Sequence, residues 1–452
     1  MDGDRPGRRL RAAVWTCVTS ALLVGAAAAF PDGPTDGVSI RSTLVDFYGP
    51  GSQPGRLVDP LVEAPDCALC HGGYNEAQEP YTRWTASMMG QGARDPIFWA
   101  AMAIAEQAAP NVTDLCVRCH APRNWINPGG RPSKTAPPMG HADEGISCSI
   151  CHRMVDPVYR PGISPAEDAQ VLAGVPKLPV AYHSAQFVLD PQDRRRGPFQ
   201  LSVSYHEWLR SPLHSESRIC GTCHDVSNPL FVMQPDGRYA LDTLGKPHPT
   251  HRPYEEFPLE RTYSEWSQSE FARGPIDMGG RFGGNRAQVS SCQDCHMPKT
   301  TGTACLPVLG GAVRSDLPQH DFRRATTWML HAVRNLYPDG ETGLTAGSVA
   351  DAVARNQEML RRASDVHLAV SGGSLTYQAA DQQDVRSTAV WSNGRWFVTM
   401  VRPLGTGHVG DVVRWPLHLV PPRLARNLTM PTVHNWQLGR EMEFPYEEHH
   451  PG

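Results

Sequence analysis

Lysine is nearly missing from this chain: it occurs four times, at Lys134, Lys177, Lys246 and Lys299, among 42 basic residues. The formal net charge is −4, and no nucleic-acid partner is expected of an acidic chain. Long apolar runs are lacking too. Beyond residue 30 nothing approaches the ~20 consecutive apolar residues that span a bilayer, so the mature chain should have no stable membrane span. Glycine and proline, by contrast, number 41 each, which predicts many turns and short elements.

The one apolar run stands at the N-terminus. Arg5, Arg8, Arg9 and Arg11 make a basic start, residues 12–29 are rich in Ala, Val and Leu, and Ala26–Ala29 offers a small-residue cleavage site before Phe30. This reads as a signal peptide cleaved near residue 29. A retained anchor is the rival reading, but Ala, Thr and Ser dilute the run. Export would place the mature chain in the periplasm, or otherwise outside the cytoplasm, in an oxidising compartment.

Of 12 cysteines, Cys17 lies in the signal and Cys305 stands alone, by default a small buried hydrophobe. The other ten form five C-x-x-C-H units: Cys67-Cys70-His71, Cys116-Cys119-His120, Cys148-Cys151-His152, Cys220-Cys223-His224 and Cys292-Cys295-His296. Chance would yield roughly 0.01 copies from this composition. In a c-type haem site both thiols add to the porphyrin vinyl groups, and the adjacent histidine supplies the proximal nitrogen. Zinc sites also use C-x2-C pairs, yet they combine one dithiol with a second, spaced ligand set and need no histidine after every second cysteine. A disulfide framework accounts for no histidine at all. Five covalent haem c groups are therefore expected, held by those ten cysteines, with His71, His120, His152, His224 and His296 as proximal ligands. The units start 49, 32, 72 and 72 residues apart. Each segment is too short to bury a haem alone, so the haems should share one core, close enough for electron hopping.

The sixth ligand of each iron sets much of its potential. Candidates are His141, seven residues before Cys148; His183, in "VAYHSAQF"; His214, six residues before Cys220; and His320, after the last unit. A degenerate Trp-x-x-Ser repeat at Trp84, Trp208 and Trp266 adds Met88 and Met89, which follow its first copy as His214 follows its second. Those methionines read equally well as core packing. Asp95 reads as an N-cap and Pro96 as the first position of a helix running to Pro110 and into the second unit, against a porphyrin face. Arginine makes up nearly all of the basic residues, through genomic base composition or for bidentate pairing with haem propionates. Ten propionates would make the loaded protein more acidic still.

With these residues in view, the chain resembles the multihaem cytochromes of the cytochrome c-554 and hydroxylamine-oxidoreductase group. The resemblance covers about residues 60–365 and rests on the five units, on "WTASMMGQGARDPIFWAAMAIA", "CGTCHDVSNP" and "TYSEWSQSEFA", and on "CQDCHMP" followed by "HDF". It implies a mainly α, loop-rich core with stacked haems, an electron carrier of the periplasm, and His214 and His320 as leading distal ligands. Several relatives place His after Trp-x-x-Ser where this chain has Met88 and Met89, which leaves one sixth ligand open.

Residues 30–345 form the expected pentahaem domain, and residues 346–452 a different region. There "LTAGSVADAVARNQEMLRRAS" has helical spacing, and five strand-like runs follow, two of them joined by Asn393-Gly394, a hairpin signal. A small C-terminal β-sandwich is expected. About forty residues from Asp384 resemble the b-haem subunit of ethylbenzene-dehydrogenase-type enzymes, whose haem takes Met and Lys ligands. No lysine follows Lys299, so a docking or packing region is expected rather than a sixth haem.

The resulting expectation is electron transfer between redox protein partners through five haems. The alternative is an oxidoreductase acting on a small nitrogen or sulfur compound at one open haem. Ammonia-forming nitrite reductases mark their open haem with lysine in place of the motif histidine, and all five units here end in His.

Overall fold

The structure, a computed structural model, describes residues 40–127, 144–201, 204–324, 328–364, 367–371, 374–378, 386–392 and 395–401. The signal segment and His141 lie outside the described residues. The fold is mixed α/β and not mainly α, with 38% helix and 13% strand, the strands spread over several small sheets. Glycine- and proline-dense segments between the units keep the chain extended, and short extended pieces satisfy their backbone groups by pairing with one another.

Four units lie on short helices, Ala64–His71, Thr113–His120, Cys148–Arg153 and Cys292–His296; the fourth unit begins within Arg218–Gly221. Helical spacing brings residues i, i+3 and i+4 to one face, so two thiols and a histidine project together. The Pro96–Ala108 helix begins as its sequence dictates: the Asp95 carboxylate accepts the amides of Ile97 (2.8 Å) and Phe98 (3.2 Å), with Pro96 at the first helical position.

The largest sheet is antiparallel, with Val226–Met233 between Tyr239–Leu241 and Glu256–Glu260, and it starts two residues after His224. Towards the C-terminus the Ala346–Ser364 helix precedes two hairpins. Among the described residues these do not form a sandwich. His367–Ser371 pairs only with Ser374–Gln378, and Arg386–Ser392 only with Arg395–Val401, where Ser392 faces Arg395; Asn393 and Gly394 lie outside the described residues.

One apolar cluster joins Met102, Val117, Trp125, Ile126, Ile150, Phe187 and their neighbours, with Cys116, Cys119 and Cys223 packed against it. A second joins Met88 to Met329, Leu330, Val333, Leu344 and Val349. Among the described residues, buried polar and charged side chains are as numerous as buried apolar ones. Several of those charges are paired. Arg196 reaches Asp168 (2.8 Å) and Asp190 (2.6 Å), Arg261 reaches Asp225 (2.9 Å), and Arg83 reaches Asp321 (3.2 Å).

Glu144 shows how such a group ties stability to pH. Its two carboxylate oxygens accept the amide of Ala64 (3.2 and 3.0 Å) at the start of the first unit's helix, and Arg123 lies 3.5 Å away. Burial pushes its pKa from 4.5 up to about 7, against the pull of that amide and of Arg123 and Arg94. The folded state therefore holds the proton more tightly than the unfolded chain between those two values. Its contribution should be full below pH 4.5 and should fall as pH rises towards 7, by about 3 kcal/mol at most. Urea unfolding at pH 5 and pH 8 should show that loss, and Glu144→Gln should flatten it; an unchanged slope in the variant would assign the loss to other groups.

Candidate functional site

The five units converge. The thiol of Cys67 contacts that of Cys148, Cys119 contacts Cys223, and Cys220 contacts Cys292. The first unit thus meets the third, the second meets the fourth, and the fourth meets the fifth. All ten unit cysteines are free and half-buried, as is Cys305, which lies beside Cys70. Burial pushes the thiols of Cys116, Cys151 and Cys295 up to about 12, so they stay protonated.

Three of the unit histidines are oriented in the same way. The Nδ1–H of His71 donates to the Ala304 carbonyl (2.5 Å), that of His152 to Arg196 (2.7 Å), and that of His296 to Arg323 (2.6 Å). A carbonyl can only accept, so the proton sits on Nδ1 and Nε2 presents its lone pair, the arrangement of a metal-ligating imidazole. Burial lowers His120 and His152 to about 4, which keeps them neutral. His120 lies flat on Phe98, 3.9 Å between ring centres, so the Pro96–Ala108 helix packs on the second unit. His120, His224 and His296 lie deep in the protein mass, yet each keeps much of its surface open. Arg324 lies near all three.

Further histidines gather around the first and third units. The ring of His152 stands 5.8 Å from His214 and 6.3 Å from His320, and that of His71 stands 6.4 Å from His206. His214 donates through Nε2 to the Cys151 carbonyl (2.8 Å), while its buried Nδ1, like that of His320, has no partner. Burial, then the nearby His152, lowers both to about 3. His183 is placed differently: its Nε2 bonds the His251 carbonyl (2.8 Å) and its Nδ1 the Ser184 hydroxyl (3.1 Å). Met88 sits in the second apolar cluster, and half-buried Met89 offers its carbonyl to the Ile146 amide (2.8 Å).

The Trp-x-x-Ser repeat has a structural role that spacing alone did not reveal. The indole of Trp84 donates to the Ile146 carbonyl (2.7 Å) and that of Trp266 to the Ser290 carbonyl (2.8 Å). Each acceptor lies two residues before the first cysteine of a unit. In both copies the serine hydroxyl closes the turn on its own tryptophan carbonyl at 2.6 Å. The middle copy departs: Trp208 donates to Phe199 (2.9 Å), and its segment is a strand. His206, not singled out by its sequence context, is carried to His71 by this extended segment; its proximity to Trp208 in "YHEWLRS" was the available signal.

Paired thiols at helical spacing, imidazoles whose Nδ1 atoms donate to carbonyls, and orphaned buried nitrogens together fit a covalently held porphyrin iron. No known protein family, curated protein or solved structure matches this chain. No helix among the described residues is long and apolar enough to cross a membrane.

Proposed function

We propose that this chain is an exported, periplasmic multihaem c-type cytochrome, of the group its units resemble, that relays electrons between redox protein partners. The reading rests above all on five C-x-x-C-H units whose thiols meet in one interior. Bound haem supplies the one-electron chemistry. The chain's own residues tether, orient and insulate. The ten unit cysteines would anchor the haems, and His71, His120, His152, His224 and His296 would ligate their irons. The carbonyls of Ala304, Arg196 and Arg323 hold three of those rings in one tautomer. His214 and His320, each with an unpartnered buried nitrogen, are the leading sixth ligands, and His206 joins them.

Spin state tests this reading. Electron paramagnetic resonance of the oxidised protein should show every haem low-spin, and His214→Ala or His320→Ala should each turn one haem high-spin. Unchanged spectra would remove that residue from the ligand set. A high-spin haem in the parent would instead favour an oxidoreductase with an open iron.

A further inference from the structure

Away from the five units, His248, His251 and Glu256 converge where the loop after Tyr239–Leu241 enters the Glu256–Glu260 strand. Each is 1% exposed. Nδ1 of His248 lies 3.6 Å and Nδ1 of His251 3.5 Å from Oε1 of Glu256. Those separations are too long for hydrogen bonds, and Oε1 has no other partner although it is buried. A buried carboxylate oxygen without a donor is costly, and something of positive charge has to offset it. Donors 2.0–2.2 Å from a tetrahedral ion stand about 3.4 Å apart, close to the spacing here.

The surroundings prepare the nitrogens for such an ion. Nδ1 of His248 accepts the amide N–H of His251 (3.1 Å), so it is unprotonated and carries a lone pair that an ion can take over. His251 holds a left-handed backbone (φ 51), and His183 donates from Nε2 to its carbonyl at 2.8 Å.

We propose that His248, His251 and Glu256 form a buried site for one divalent transition ion of the zinc class, bound through the two Nδ1 atoms and Oε1. The ion takes the His248 lone pair in place of the His251 amide. Two imidazoles and one carboxylate suit such an ion better than calcium or magnesium, which prefer all-oxygen sets. Closed off from solvent, the ion is structural: it pins the loop to the sheet. Its anchorage reaches the fourth unit, because His183 holds the His251 carbonyl while the next amide, of Ser184, donates to Asp225 (2.8 Å) beside His224.

The test is metal analysis of the full mature protein by plasma mass spectrometry, after equilibration with zinc and exhaustive dialysis into metal-free buffer. One zinc per chain is expected, with at least a tenfold drop in Glu256→Gln and in His251→Ala. Glu256→Gln preserves shape and so guards against loss of fold, which circular dichroism monitors. Haem content and spin state are read on the same samples. A parent that retains no zinc overturns the site. Variants that keep the zinc overturn the ligand assignment. A variant that turns a haem high-spin reassigns these histidines to iron and likewise overturns the proposal. Zinc retention is counted per polypeptide, so it stands or falls separately from haem loading.

Discussion

Produced with its export signal in a host that matures c-type cytochromes, the mature chain should be about 3 kDa heavier than its polypeptide, by the arithmetic of five covalent haems. Acid–acetone should extract none of that added mass. Every unit carries both thiols and its histidine, and no unit is degenerate. Intact-mass spectrometry decides the matter, and fewer than four attached haems would overturn the proposal. Cys148→Ser with Cys151→Ser should remove one haem and also lower the yield of folded protein. Cys148 packs on Cys67, and Ile150 between the two serines lies at the centre of the larger apolar cluster. A variant that retained the full added mass would show that the third unit is not an attachment site.

Arg196→Met should be among the most damaging single changes in the chain. The guanidinium is fully buried between two buried carboxylates, with Nε and Nη2 on Asp168 (3.0 and 2.8 Å) and Nη2 also on Asp190 (2.6 Å). Methionine fills much of the space but leaves Asp168 without a cation and Asp190 with Arg194 alone, a loss of about 3–5 kcal/mol. The damage also reaches the site, because the Arg196 carbonyl is the acceptor that orients His152. One haem signal should broaden in the variant. Arg196→Lys restores the charge without the planar fork, and should recover less than half of the loss. Urea unfolding gives the magnitude; a variant within 1 kcal/mol of the parent would show that the network has another way to neutralise its acids.

What could be read from sequence was what is written locally. Asp95 and Pro96 announce the start of a helix, the strand-like runs at Arg386–Ser392 and Arg395–Val401 pair with each other, and Ala346–Ser364 repeats its apolar residues at helical spacing. The five units likewise carry their chemistry within five residues each. The mixed α/β character was not legible, because most strands have two to five residues, too short for alternation to register. Nor were the pairings between distant segments. His206 meets His71, and Glu256 meets His248 and His251, only after the chain has turned through irregular segments with no periodic signal. Pairing of Arg196 with Asp168 and Asp190 was likewise hidden: an arginine-rich composition says nothing about which guanidinium is buried.

The three thiol contacts between units, Cys67 with Cys148, Cys119 with Cys223 and Cys220 with Cys292, also set a race. A chain exported unfolded enters a compartment that oxidises cysteine pairs over seconds to hours, whereas small domains collapse and fold in microseconds to seconds. Folding ahead of attachment would bring thiols of different units together and leave them to form cross-links that no later ligation could use. On the proposal advanced above, attachment has to outrun folding, and the supply of reductant to the emerging chain governs how much of it matures. The same contacts that knit the finished interior are, during biogenesis, its three most dangerous encounters.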